Sequence, residues 1–196
     1  MPFSIADIEL LDLYSCFPIA VLCACDALGI RYDTERDLTV TGGLPFFGGP
    51  GNNYSLHAIA ETHRLLCDKP GSYGLVAANG GYLSKQSVGI YSTSQPASWE
   101  PLKGNPAQAA VDAKPTAGVA YPFDGEAIIT TYTLSYRKAE IEKGMAVCHD
   151  PISSRNVLAK ADANDTETLE ALRAGEPIGR RVTIRSTERG CYFSFV

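Results

Sequence analysis

The chain has 196 residues, 45% of them hydrophobic and 20% charged, a balance typical of soluble globular proteins built from one large domain or two small ones. Its net charge of −5 argues against a nucleic-acid or anionic-membrane surface, since both need clustered Lys and Arg. Six cysteines at irregular spacing, most of them inside apolar stretches, read as buried free thiols of a reducing compartment rather than as a disulfide framework.

Residues 5–13 alternate and then run apolar, as a half-buried or buried strand does. The apolar run over 10–30 has the wrong charge for a signal peptide, because no Lys or Arg stands before Arg31, while Asp7, Glu9 and Asp12 do. Asp12, Ser15, Pro18 and Asp26 also interrupt it as a membrane span, so a cytoplasmic protein without a membrane span is expected. Pro18 suits the first turn of a helix over 19–28 that Gly29 stops. Residues 38–41 predict a short strand entering a glycine loop at 42–51. Asn52 or Asn53 is placed to cap the next helix, which runs to about Leu66. Strands over 74–78 and 87–92 are expected to join around Asn79-Gly80-Gly81, a sequence suited to positive φ.

Composition then changes. Residues 95–116 hold Pro96, Pro101, Pro106 and Pro115 with few large aliphatics and read as a linker or strap. Strands follow near 126–136, 144–148, 156–161, 180–186 and 192–196. A helix over 165–174 comes before the last pair, with Asn164 and Glu167 in a capping-box pattern. Five strands with one such helix suggest a small Greek-key or OB-like barrel. Arg180, Arg181 and Arg185 alone approach a basic cluster, and strand alternation divides them between two faces. The barrel is therefore expected to dock within the molecule, covering a substrate entrance, rather than to bind nucleic acid.

The punctuation of the first part carries a resemblance. Leu11-Asp12-Leu13-Tyr14-Ser15-Cys16-Phe17, the glycine loop through Gly48-Gly49-Pro50, and Ala78-Asn79-Gly80-Gly81 follow one another with consistent elements between them. In order and spacing they resemble the three C-terminal motif blocks of thiolases, most closely the sterol-carrier-protein type and its thiolase-like type 1 relatives, several of which carry an additional C-terminal β-rich domain. The resemblance implies an α/β fold: the C-terminal half of a thiolase (β-α-β-α-β-β, layered) over 1–94, a linker over 95–116, and an additional OB-like barrel over 117–196.

It also implies an acyl-CoA acetyltransferase chemistry of lipid metabolism, with a coenzyme A thioester as substrate or ligand and no cofactor or metal. In such chemistry a thiolate attacks, an imidazole takes its proton, and oriented donors hold the thioester enolate. Cys16 falls on the candidate acid/base cysteine, while closing a strand with a small buried residue explains it equally well. Gly49 falls where the activating histidine would stand, and Ala78 where many thiolases keep a second cysteine. Asn79 and His57 are further catalytic candidates. Tyr14, Phe47, Gly48, Gly49, Asn52, Asn53, Gly80 and Gly81 are substrate-binding candidates, although helix capping and tight turns account for the Asn and Gly residues too. The nucleophilic cysteine of the family belongs to an N-terminal half that the resemblance puts before Met1. The chain alone is therefore expected to be inactive and to need that half, or a second copy of itself, as partner. The alternative is a non-catalytic acyl-CoA or lipid-binding scaffold. His63 and Cys67 make at best half a metal site, and His57 and Glu61 read as a polar pair on one helix face.

Overall fold

Ser4 caps the first turn of the chain. Its hydroxyl accepts the Ala6 N–H at 3.3 Å, and the Asp7 carboxylate takes the Ser4 N–H at 2.6 Å. This reciprocal cap closes a 3-10 turn, Ile5–Asp7, so strand β1 covers Ile8–Asp12 and starts later than the alternation over 5–13 predicts. In this computed structural model residues 4–33, 36–96, 98, 100 and 103–196 are described. The chain divides into two units, Met1–Pro101 and Leu102–Val196.

In the first unit, helix α1 (Pro18–Leu28) has Pro18 in its first turn and ends at Gly29, whose φ of 67° is the left-handed conformation glycine takes freely. A short helix α2 (Leu44–Phe47), a 3-10 turn (Gly51–Asn53) and helix α3 (Tyr54–Cys67) follow. Strands β2 (Tyr73–Gly80) and β3 (Lys85–Tyr91) complete a three-stranded sheet in the order β1-β2-β3, the first pair parallel and the second antiparallel. The parallel pair needs a crossover, which the three helices supply. Helix α3 lies on β1 and β2, and at Gly74 it comes so close that a Cβ would stand 2.4 Å from Thr62 Cγ2.

Two expectations for this unit fail for identifiable reasons. Residues 38–41 form no strand. Val40 and Thr41 donate their N–H groups to the Asp12 carboxylate at 3.1 and 3.2 Å, a side-chain acceptor that displaces ladder pairing. The order is thus β-α-α-α-β-β rather than β-α-β-α-β-β. The hairpin turn also lies further on than expected. Asn79 and Gly80 pair with Gln86 and Lys85 inside β2, and the chain reverses over Gly81, Tyr82 and Leu83, with φ of 56°, 53° and 67°.

In the second unit, the proline-rich stretch read as a linker contains helix α4 (Pro106–Asp112), capped by Asn105, whose Oδ1 accepts the Gln108 N–H at 3.0 Å. Residues 97, 99, 101 and 102 of that stretch lie outside the described residues. Strands β4 (Gly125–Arg137), β5 (Glu140–His149), β6 (Asn156–Ala161), β7 (Arg181–Thr187) and β8 (Gly190–Phe195) close a five-stranded barrel in the order β4-β5-β6-β8-β7. All neighbours are antiparallel except β6 and β8, and helix α5 (Thr166–Ala174) connects β6 to β7. The cap of α5 is Asp165, which accepts the Thr168 N–H at 2.9 Å, and not Asn164, whose own N–H turns back to Asp162. Strand β4 pairs with β7 over Gly125–Ile128 and with β5 over Ile128–Arg137, and a bulge interrupts the second register between Ile129 and Thr131.

Strict alternation sends Ala146, Cys148, Val157, Ala159, Val182, Ile184, Cys191 and Phe193 inward to one buried core. Leu169 and Leu172 of α5 join that core. Their fit depends on Gly144, where a Cβ would sit 2.6 Å from Leu172 Cδ1.

Candidate functional site

The site is organised by an acid in an apolar strand. Asp12 ends β1 fully buried, between Leu11 and Leu13. A buried carboxylate must find donors or lose its charge. Besides the Val40 and Thr41 amides, its Oδ2 takes the Thr41 hydroxyl at 3.0 Å, and its Oδ1 takes the Tyr54 phenol at 3.0 Å. Thr41 Oγ1 and the Tyr54 oxygen are themselves 2.6 Å apart. Burial pushes the Asp12 carboxyl above its ordinary range despite these donors, and burial likewise raises the Tyr54 phenol.

This network binds the segment after Leu38 to the loop that follows β1. Leu13 donates to Leu38 O at 2.9 Å, and Ser15 Oγ accepts the Leu44 N–H at 2.9 Å, which anchors the start of α2. Gly43 lets the two segments meet, because a Cβ there would lie 2.9 Å from Ser15 Oγ. The loop then presents Cys16, partly exposed, at the carboxyl end of β1. At the carboxyl end of the parallel neighbour β2, Asn79 Nδ2 donates to Cys16 Sγ at 3.6 Å. In open α/β sheets ligands bind beyond the carboxyl ends of parallel strands, where loops rather than ladders satisfy the backbone.

A second group gathers around the buried ring of Tyr54. Tyr14 and Phe47 meet it edge-on with centroids 5.4 and 5.8 Å away. Phe47 also contacts His57 at 5.2 Å, and His57 Nε2 bonds the Asn53 amide at 2.8 Å. The sequence candidates therefore fall into groups. Cys16 and Asn79 come together, while Tyr14, Phe47, His57 and Asn53 are linked through Tyr54. Gly48 and Gly49 turn the exposed backbone after α2 with φ of 94° and 57°, and Asn52 is exposed in the 3-10 turn. Gly80 ends β2, and Gly81 begins the hairpin turn.

Several expectations are corrected here. Neither Asn52 nor Asn53 caps α3 with its side chain. Glu61 pairs with Arg64 at 2.6 Å and not with His57. Phe46, next to Phe47, is 89% exposed. All six thiols are free, but only Cys25, Cys148 and Cys191 are buried, while Cys23 and Cys67 are exposed. Cys67 Sγ and His63 Nε2 stand 3.9 Å apart, and among the described residues no third ligand joins them. No helix among these residues is long and apolar enough to cross a membrane. The residues that sequence reading missed are Asp12, Thr41 and Tyr54. Their one visible signal was an acid standing inside an apolar strand.

Residues 106–189 match the family model of the thiolase-like protein type 1 additional C-terminal domain. The crystal structure of a monomeric SCP2-thiolase like protein type 1 from Mycobacterium smegmatis superposes with a TM-score of 0.89 at 41% identity, over 99% of this chain and 42% of that one. The chain thus spans well under half the length of that relative. Among curated protein sequences nothing matches.

Proposed function

The chain belongs to the thiolase-like proteins that carry the type 1 additional C-terminal domain, and from that premise we propose that its first unit binds an acyl-CoA thioester at Cys16 and Asn79 without turning it over. The observation that carries this reading is the 3.6 Å contact between Asn79 Nδ2 and Cys16 Sγ beyond the ends of β1 and β2. A thiol beside an amide donor offers a polar corner to a thioester carbonyl. Efficient attack or proton transfer at sulfur needs a thiolate, which a neighbouring base generates. His57 is engaged elsewhere, with Asn53 and Phe47, and Gly49 brings no imidazole. The acyl chain would run toward Tyr14 and Phe47, and the glycines at 48–49 and 80–81 leave backbone open to a ligand.

A second reading keeps the transferase chemistry. Here Cys16, which is partly exposed, serves as the acid/base for a nucleophile supplied by a thiolase N-terminal half or by a second copy. The barrel is read as OB-like, supported by its strand order, its single parallel pair and the position of α5. Six free thiols support a reducing, cytoplasmic setting.

The test is calorimetric binding of acetyl-CoA and acetoacetyl-CoA with free coenzyme A release followed in parallel, repeated with Cys16→Ala and Asn79→Ala. Saturable binding that weakens in both variants, with no release, is expected. Release that disappears in Cys16→Ala would establish the transferase reading instead, and unchanged binding in both variants would remove Cys16 and Asn79 from the site.

A further inference from the structure

The outer surface of the barrel carries a second feature, chemically unlike the corner at Cys16. Alternation turns Met145, Leu158, Lys160 and Arg185 outward, opposite the core residues between them. The strand registers then align Thr133, Met145, Lys160, Tyr192 and Arg185 as one continuous row across all five strands. Strands lie about 4.8 Å apart, so Lys160 and Arg185 flank the half-exposed ring of Tyr192 at a backbone separation of roughly 10 Å.

The two ends of this face differ. On one side the next row is Thr131, Val147 and Leu158, and Leu158 is 62% exposed. With Met145 they line an apolar groove of about 450 Å³. On the other side a groove of about 1040 Å³ is bordered by Lys143, Lys160, Arg185, Arg189 and Tyr192. Met145 and Lys160 belong to both, so the grooves are continuous. Asp162 and Glu188 also border the basic part, leaving four cations against two acids in a chain whose net charge is −5. None of the four cations forms an ion pair among the described residues.

We propose that this face is a binding site for an acyl chain carried on a soluble nucleotide phosphate ester, a ligand of the acyl-CoA class. The chain lies along Leu158, Val147 and Met145, and the phosphates lie among Lys160, Arg185, Lys143 and Arg189. Burying an exposed Leu and Met against a chain supplies the apolar contribution. Unpaired Lys and Arg beside a low-dielectric surface supply the attraction for phosphate. A nucleotide ring suits Tyr192 between its two cations. Single-stranded nucleic acid fits less well, because it uses several successive stacking platforms and Tyr192 is the one aromatic bordering the basic groove among the described residues. The inference rests on the reading above only for the class of ligand, and the two sites fail separately.

Met145 makes the test direct, since the sequence has two methionines and the other is Met1. The full chain, labelled with 13C-methyl methionine, is titrated by NMR with lauroyl-CoA, coenzyme A, laurate and a short oligo-dT. The Met145 methyl should move with lauroyl-CoA at a concentration about tenfold lower than with coenzyme A or laurate alone. The exposed pair Lys160→Glu and Arg185→Glu should weaken this response about tenfold, with the circular dichroism of the folded chain unchanged. Leu158→Gln should weaken lauroyl-CoA but not coenzyme A. Cys16→Ala and Asn79→Ala should leave the Met145 response intact, even where they abolish binding at the first unit. A silent Met145 methyl, a response indifferent to the charge reversals, or tighter binding of oligo-dT than of lauroyl-CoA would overturn the proposal.

Discussion

Asp12 tests the organisation of the first unit most sharply, because its hydrogen bonds involve a count of protons. The carboxylate, Thr41 Oγ1 and the Tyr54 oxygen form a triangle with sides of 3.0, 3.0 and 2.6 Å. Three oxygen pairs at these separations need three protons, yet an ionised carboxylate leaves only the two hydroxyl protons. The protonated acid supplies the third. Burial pushes the carboxyl above its ordinary range and outweighs the hydrogen bonds from Thr41, Tyr54 and the two amides, which pull the other way.

Replacing Asp12 with Asn keeps a carbonyl oxygen for the Val40 and Thr41 amides and offers an N–H toward Tyr54, so the triangle again holds three protons. Replacing it with Ala removes every acceptor. The Tyr54 phenol keeps its bond to Thr41, but two amides lose their partner, at about 1–3 kcal/mol each when cut off from water. Both amides are only partly buried, so the lower half of that range applies, and Ala should cost about 3 kcal/mol. Asn should stay within about 1 kcal/mol of the parent at neutral pH.

The sign with pH follows from the raised carboxyl. The folded state holds its proton to a higher pH than the unfolded chain does, so this group's contribution to stability falls as pH rises from the unfolded value to the folded one, and it is flat above. The parent should therefore gain on Asp12→Asn as pH drops through that window, which opens near the ordinary carboxylate value of about 4. Urea unfolding across pH, with hydrogen exchange at Val40 and Thr41, measures both effects. Exchange at these amides should quicken roughly 100-fold in Asp12→Ala and little in Asp12→Asn. An Asn variant as damaged as the Ala variant, or a parent-to-Asn difference that does not move with pH, would refute the proton count.

Three other predictions follow from close contacts and burial. Gly74→Ala should cost about 1–3 kcal/mol through overpacking against Thr62 Cγ2; adding Thr62→Ser should recover part of the loss, and a purely additive double variant in thermal unfolding would show that the contact is not the cause. Thr62→Val should be neutral or stabilising, because the buried Thr62 hydroxyl has no hydrogen-bond partner among the described residues. Iodoacetamide should label Cys23 and Cys67 fastest and Cys16 more slowly in the folded chain, as read by peptide mass spectrometry. Cys148, its thiol pushed up to about 11 by burial, should react only on unfolding.

The barrel was legible because its information is local. Period-two alternation from Ala146 to Cys148 and from Val157 to Ala161 states both the strand and the inward face, and no distant residue overrides it. In the first unit the order of motifs brought Cys16 and Asn79 into one argument, since Cys16 follows the end of β1, Asn79 lies next to the end of β2, and the two strands run parallel. The error at 38–41 has the opposite origin. Those residues have strand preferences, but Asp12, more than 25 positions earlier, captures two of their amides. No window confined to 38–41 contains that acceptor.

What the sequence did contain was the other half of the interaction: Asp12, placed where its strand neighbours Leu11 and Leu13 are fully buried. Leaving it without donors would cost several kcal/mol, so such an acid announces that a segment with free N–H groups must come to it. Residues that lead into a pair of glycines are natural suppliers, since a chain about to turn leaves amides unpaired. Residues 40–43 fit that description here. The same logic explains why Tyr54, a helix residue with no motif of its own, became the hub of the aromatic group. Once Asp12 fixes the position of the phenol, Tyr14, Phe47 and, through Phe47, His57 can collect around the ring.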